Sequence, residues 1–193
     1  MPNRLTNKVA LITGGASGFG LAISRHFLAE GALVFIGDLN PSSAGTTALQ
    51  TQFPSQLLLG TLNVTSRPDW DAAVTSIKEK WGRVDILVNN AGTSYKNKPT
   101  LDVTLEEYTR TFDVNCLGIF HSVQAVFPSF IAQKGGVCLN ISSCGADRPR
   151  QGLVWYNATK GAVSNATKGL ALEYGPQKVR CNSICPLLSG TGL

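Results

Sequence analysis

Short runs of apolar residues alternate along this chain with longer stretches in which apolar residues recur every three or four positions. The first run, Lys8–Thr13 (KVALIT), is almost continuously apolar, as for a strand covered on both faces. Ala32–Gly37, Leu57–Val64, Asp85–Val88, Gly136–Ser142 and Val179–Cys185 read as further strands. Between them the period becomes helical. Phe19, Ile23 and Phe27 mark one side of a first helix, and Trp70, Val74 and Ile77 mark Ser66–Trp81. Cys116, Ile119, Phe120, Val123 and Phe127 form a stripe on Asn115–Lys134. Thr104 opens another helix with Glu106 and Glu107 in its first turn, and Val154–Tyr174 is a further one. Strands alternating with helices predict the α/β class: a doubly wound parallel sheet of Rossmann type, in one domain over residues 1–193.

Two stretches attach chemistry to this pattern. Gly14, Gly15, Gly18 and Gly20 follow the first strand and open a helix. There the backbone N–H groups of a helix start can meet a pyrophosphate, and a Cβ would block its approach. The literal G-x-G-x-x-G is absent, since Ile23 holds the third place; the pattern is Thr13-Gly14-x-x-x-Gly18-x-Gly20. Asp38 ends the second strand about 20 residues further on, where a carboxylate can accept hydrogen bonds from an adenosine ribose. Asp38 could also cap a helix beginning at Pro41.

The other stretch is Val154–Tyr174, with Tyr156 and Lys160 four residues apart and so on one helix face. Charges ~4 Å apart interact by ~4 kcal/mol at an effective dielectric of ~20. A phenol beside an ammonium can therefore exchange a proton with a carbonyl or an alcohol near neutral pH. The competing reading is a half-buried tyrosine beside a solvated lysine. NATK at residues 157–160 recurs at 165–168, but the second copy has Ser164 where a tyrosine would be needed.

Composition narrows the classes. The 43% hydrophobic and 15% charged content suits a soluble globular protein. The apolar runs are short and interrupted, so no membrane span is expected, and MPNRLTNK lacks the apolar core of a leader. Five cysteines, Cys116, Cys138, Cys144, Cys181 and Cys185, form no C-x-x-C pair or zinc set, which points to free thiols, no metal and a cytoplasmic location. The N-x-S/T triplets at Asn63, Asn140, Asn157 and Asn165 fall on predicted strands and helices rather than loops. The net charge of +5 is spread without a basic run, which argues against a nucleic-acid partner and suits an anionic cofactor.

Taken together, Thr13–Gly20, Asn89-Asn90-Ala91-Gly92, Asn115, Ser142 and Tyr156-x-x-x-Lys160 resemble the short-chain dehydrogenase/reductase family over nearly the whole chain. The resemblance implies a catalytic tetrad of Asn115, Ser142, Tyr156 and Lys160. Tyr156 would be the general acid or base, and Lys160 would hold the cofactor ribose. Ser142 would bond the substrate oxygen, and Asn115 would keep a kink and a water in a proton relay. It implies cofactor contacts from Thr13, Gly14, Ser17, Gly18, Phe19, Gly20, Asp38, Asn63, Val64, Asn90, Ala91, Gly92, Tyr156, Lys160 and Pro186. Asn63 stands where the family usually has Asp beside adenine, and Leu187 stands where it usually has Gly beside the nicotinamide.

The expected activity is hydride transfer between a nicotinamide cofactor and a carbonyl or secondary alcohol. NAD is expected over NADP, because Asp38 would repel a 2′-phosphate. The small-molecule substrate would be partly apolar, with Val154, Trp155, Leu187 and Leu188 as pocket walls. The resemblance also implies a homodimer or homotetramer. Because the sequence stops at Leu193, short of the family's last strand and substrate loop, the sixth strand is expected at an open sheet edge, with substrate turnover weakened. A non-catalytic nucleotide-binding protein derived from such an enzyme is the alternative, and an RNA-binding role rests on the basic charge alone.

Overall fold

The computed structural model describes residues 3–187. Its strands are β1 (Val9–Thr13), β2 (Leu33–Asp38), β3 (Leu57–Thr61), β4 (Ile86–Asn89), β5 (Gly136–Ile141) and β6 (Val179–Ile184). The α-helices are α1 (Gly18–Ala29), α2 (Ala44–Gln52), α3 (Arg67–Trp81), α4 (Leu105–Phe112), α5 (Gly118–Ala132) and α6 (Val154–Tyr174). The strands form one sheet in the order β3-β2-β1-β4-β5-β6, with every neighbouring pair parallel.

Alternation along the strands divides the core into two layers. Val9 and Leu11 of β1 join Phe35, Leu87, Trp70, Ile77, Phe127 and Phe130 on the side of α3 and α5. Ala10 and Ile12 join Val34, Ile36, Val88, Leu28 and Leu49 on the side of α1 and α2. The central strands β1, β2 and β4 must therefore be apolar on both faces, which is why β1 reads as a continuous run. Edge strand β6 instead alternates buried Val179 and Cys181 with exposed Arg180 and Asn182. The strand order turns back between β1 and β4, and this switch point opens a crevice at the carboxyl ends of the strands.

The structure departs from the expected elements in four places. In α1 the fully buried line is Gly20, Ser24 and Leu28, and Ile23 and Phe27 of the expected stripe pack against the same layer only partly buried. Small residues let the helix backbone lie against the end of β1, and a Cβ on Gly20 would collide with the Gly14 carbonyl. The second helix begins at Ala44, not Pro41, and Ser43 rather than Asp38 caps it through a reciprocal pair with Thr46. Strand β3 stops at Thr61, because Asn63 folds into a turn whose Oδ1 accepts from the Thr65 N–H at 3.0 Å. Asn115 lies inside a π-helical turn, Asp113–Leu117, between α4 and α5, rather than at a helix start.

That π turn makes Leu105–Ala132 one continuous helical run, long and apolar enough by length and composition to cross a bilayer, contrary to the expectation from run lengths. It packs as a core helix: Val126, Phe127 and Phe130 are buried in the layer beneath the sheet. Strand β6 pairs only with β5 and is a sheet edge among the described residues, as expected.

Candidate active site

The loop from β1 to α1 is shaped by its glycines. Gly14 and Gly18 have φ of 62° and 51°, which side chains resist. The carbonyls of Thr13 and Gly14 accept from Asn90 Nδ2 at 2.9 and 3.0 Å, so the end of β4 holds the loop. The Thr13 hydroxyl accepts from the backbone N–H groups of Asn90 and Ala91 at 3.1 and 3.0 Å. Thr13 thus faces the Asn89–Gly92 segment and is buried. Ser17 precedes α1 without capping it through its side chain, leaving the first N–H groups of that helix unsatisfied. Such a helix start suits an anion.

A cavity of about 450 Å³ opens beside this loop. Gly14, Ser17, Gly18 and Phe19 form one wall, Asp38, Asn63 and Val64 another, and Asn90, Ala91 and Gly92 the floor. Ten of the expected cofactor residues therefore converge on one space. Asp38 Oδ2 accepts from the Ala16 N–H at 3.1 Å and Oδ1 from the Asn40 N–H at 3.1 Å, which fixes the carboxylate against the glycine loop. Asn63 reaches the cavity, but its Oδ1 already accepts from the Thr65 N–H and hydroxyl at 3.0 and 2.9 Å. The acceptor expected for adenine is thus engaged within the turn. Arg110, not anticipated from the sequence, is exposed at the cavity wall near Val114.

The expected tetrad lies past Gly92. A Cβ built on Gly92 would be 3.3 Å from Asn115 Oδ1 and 3.5 Å from Lys160 Nζ. Asn115 is 1% exposed and fully engaged. Its Oδ1 accepts from the Thr93 N–H at 2.8 Å, and its Nδ2 donates to the Thr93 carbonyl at 2.9 Å and to Thr159 Oγ1 at 3.0 Å. The Thr159 hydroxyl in turn donates to the Tyr156 carbonyl at 2.7 Å. The π turn aims Asn115 at α6, a use typical of such bulges.

Lys160 is not a solvated lysine. It is 4% exposed, its Nζ donates to the Ile141 carbonyl at 2.8 Å, and it stands 5.8 Å from the centroid of the Tyr156 ring. Burial lowers its pKa from the usual 10.5 to about 8, an effect partly opposed by the nearby Cys116 and Cys185 thiols. Burial also pushes the Cys116 thiol up, against the pull of Lys160.

Ser142 is placed differently from its expected role. Its hydroxyl is shared with Ser164 Oγ at 2.7 Å and the Lys160 carbonyl at 3.0 Å, so it ties β5 to α6. The next residue, Ser143, accepts from the Gly145 N–H at 3.1 Å and keeps its own proton free to donate. Successive side chains at a strand end point to opposite sides, which separates the two serines. Pro186 sits beside the same turn, its carbonyl accepting from the Cys144 N–H at 3.1 Å. Leu187 is 76% exposed and Val154 42%, and Leu188 lies outside the described residues. Thr93 and Thr159 carry no motif signal; only the contact of the π turn with α6 reveals them.

The short chain dehydrogenase family profile matches residues 8–193. The chain belongs to the short-chain dehydrogenase family. Among its relatives, 4-formylbenzenesulfonate dehydrogenase of Comamonas testosteroni is 40% identical over 97% of this chain and 75% of its own length. The 3-alpha-(or 20-beta)-hydroxysteroid dehydrogenase of Mycobacterium tuberculosis is 38% identical over 99% of this chain and 72% of its own length. The fold superposes on a crystal structure of 3-ketoacyl-(acyl-carrier-protein) reductase from Brucella melitensis complexed with NADH. There the TM-score is 0.92 and the identity 39%, over 97% of this chain and 78% of that one. Membership makes this short-chain dehydrogenase a nicotinamide-dependent oxidoreductase that interconverts alcohols and carbonyls.

Proposed function

We propose that this dehydrogenase uses NAD(H) in preference to NADP(H). The observation that carries the reading is Asp38: its carboxylate is anchored to the glycine loop at Ala16 and forms part of the cavity wall. An anchored anion there accepts from ribose hydroxyls and repels a 2′-phosphate. The cradle fits a dinucleotide, since Gly14 and Gly18 bring bare backbone to the cavity wall and the α1 N-terminus offers free N–H groups.

The cofactor, when bound, supplies or accepts the hydride. Gly14, Gly18 and the start of α1 would hold its pyrophosphate, and Asp38 a ribose. Tyr156 moves the proton to or from the substrate oxygen, and Lys160 supplies positive charge beside its ring. Ser143, whose proton is free, takes the substrate oxygen in place of Ser142. Asn115 and Thr159 hold the turn of α6 that carries Tyr156. The substrate reading is a small to medium secondary alcohol or its carbonyl, partly apolar, with Val154 and Trp155 as walls. Oxidation of 1-phenylethanol, followed by NADH absorbance with each cofactor, tests this. Faster turnover or tighter binding with NADP(H) would overturn the cofactor assignment.

The same reading takes the chain as one cofactor-binding unit that works as a homodimer or homotetramer in the cytoplasm. Leu117, Phe120 and Leu172 leave large apolar side chains exposed on the π turn, α5 and α6, which supports self-association. All five cysteines are free thiols, which suits a reducing compartment. Sedimentation showing only monomer at micromolar protein would contradict the oligomer.

A further inference from the structure

Helix α6 begins without a cap of its own. Its N-cap residue is Leu153, which has no side-chain oxygen to accept from the orphan N–H groups of the first turn. The N–H at the second helical position, Trp155, is the donor an N-cap oxygen ordinarily takes. Here it donates to the hydroxyl oxygen of Tyr95 at 2.9 Å, across 60 residues of sequence. Tyr95 is 5% exposed, so water does not replace that acceptor.

The surrounding contacts make this bond part of a seam. Asn97 Nδ2 donates to the Gln151 carbonyl at 2.8 Å, and the Lys98 N–H donates to the Gly152 carbonyl at 3.3 Å. Gly152 takes a φ of 77°, and a Cβ there would collide with the Asn97 side chain. Two residues before Tyr95, Thr93 is clamped by Asn115 through two hydrogen bonds. The segment from Thr93 to Tyr95 is therefore a short strut. One end is held by Asn115 in the π turn, and the other holds the backbone of the residue immediately before Tyr156.

We propose that Tyr95 is a positioning residue: by capping α6 from the β4 side, it sets the orientation in which Tyr156 meets the substrate. The inference rests on the assignment of Tyr156 as the proton donor and acceptor. Tyr95 does not line the cavity that would hold the adenosine half of the cofactor, so its effect falls on proton transfer and not on cofactor binding.

The test compares the wild type with Tyr95→Phe, which keeps the ring and removes the hydroxyl that accepts from the Trp155 N–H, and with Asn97→Ala, which cuts the neighbouring seam bond and leaves the Trp155 N–H capped. Three quantities are read: amide hydrogen exchange of the peptide covering residues 153–160, NADH affinity by fluorescence, and the pH profile of 1-phenylethanol oxidation. In Tyr95→Phe, exchange at the start of α6 rises about fivefold, the loss expected for one missing cap. NADH affinity stays within about twofold, and kcat falls about tenfold with little change in KM, the pattern of an interaction that matters at the transition state. Asn97→Ala loosens the loop but keeps kcat within about twofold of wild type. Unchanged exchange at residues 153–160 in Tyr95→Phe overturns the proposal, as does a kcat loss equal in both variants. A wild type that oxidises no alcohol counts against the functional reading instead, while the exchange comparison still decides whether Tyr95 caps α6.

Discussion

Lys160 donates from its buried Nζ to the Ile141 carbonyl at 2.8 Å, so the ammonium that flanks Tyr156 is held by the last residue of β5. This position has a consequence for stability. The folded-state pKa is about 8, against 10.5 for a free lysine, and burial is the main cause. Below pH 8 the folded protein carries a buried charge at full cost. Between pH 8 and 10.5 the unfolded chain holds a proton that the folded chain has released, so stability rises with pH across that window. Chemical denaturation at several pH values should show this rise in the wild type and a flatter curve in Lys160→Met. The difference should approach roughly 3 kcal/mol at the ends of the window. Parallel curves for the two proteins would show that Lys160 is not paying a burial penalty.

Tyr156→Phe keeps the ring beside Lys160 and removes the transferable proton. Turnover should fall by about 10²–10⁴-fold, the scale of a positioned acid or base. NADH affinity should hold within a few fold, because the glycine loop and Asp38 are untouched. Near-normal steady-state rates in this variant would remove Tyr156 from the proposed role.

Asp38→Asn retains an oxygen to accept from the Ala16 N–H but removes the charge. The preference for NADH over NADPH should then shrink by about tenfold, which corresponds to 1.4 kcal/mol of relieved repulsion. Fluorescence titration with both reduced cofactors measures it directly. A ratio equal to wild type would mean that the carboxylate does not face the 2′ position.

Ser142 and Ser143 can be separated in the same way. With the Ser142 hydroxyl committed to Ser164 and the Lys160 carbonyl, Ser142→Ala should cost about 1–3 kcal/mol of stability. Ser143→Ala should instead lower kcat by about 10²–10³-fold with little effect on melting, since removing one transition-state hydrogen bond donor has that scale. Rates that fall only in Ser142→Ala would restore the first assignment from the sequence.

Asn140 is fully buried on β5, where its Oδ1 accepts from Asn89 Nδ2 at 2.9 Å and its Nδ2 donates to Thr167 Oγ1 at 2.8 Å. These bonds join β4, β5 and α6 beneath the site. Asn140→Ala strands both partners in the core and should cost about 2–3 kcal/mol. A loss under about 1 kcal/mol in urea unfolding would show that the neighbours find other partners.

Much of this architecture follows from the sequence alone. Apolar runs such as Lys8–Thr13 can only be strands buried on both faces, and a parallel sheet with helices on each side is the arrangement that buries them. The glycine loop, Asp38 and the Tyr156–Lys160 spacing are equally local signals, because backbone freedom, strand ends and one helical turn are properties of neighbouring residues. Tertiary packing decided what spacing cannot encode. Which of Ser142 and Ser143 ties its hydroxyl to α6 depends on the register at the end of β5, which a one-residue shift would reverse. The engagement of Asn63 by Thr65, the π turn that aims Asn115 at Thr93 and Thr159, and the capping of α6 by Tyr95 are contacts between groups whose hydrogen bonds had several potential partners along the chain. Only burial, which removes water as a competitor, selects one of them.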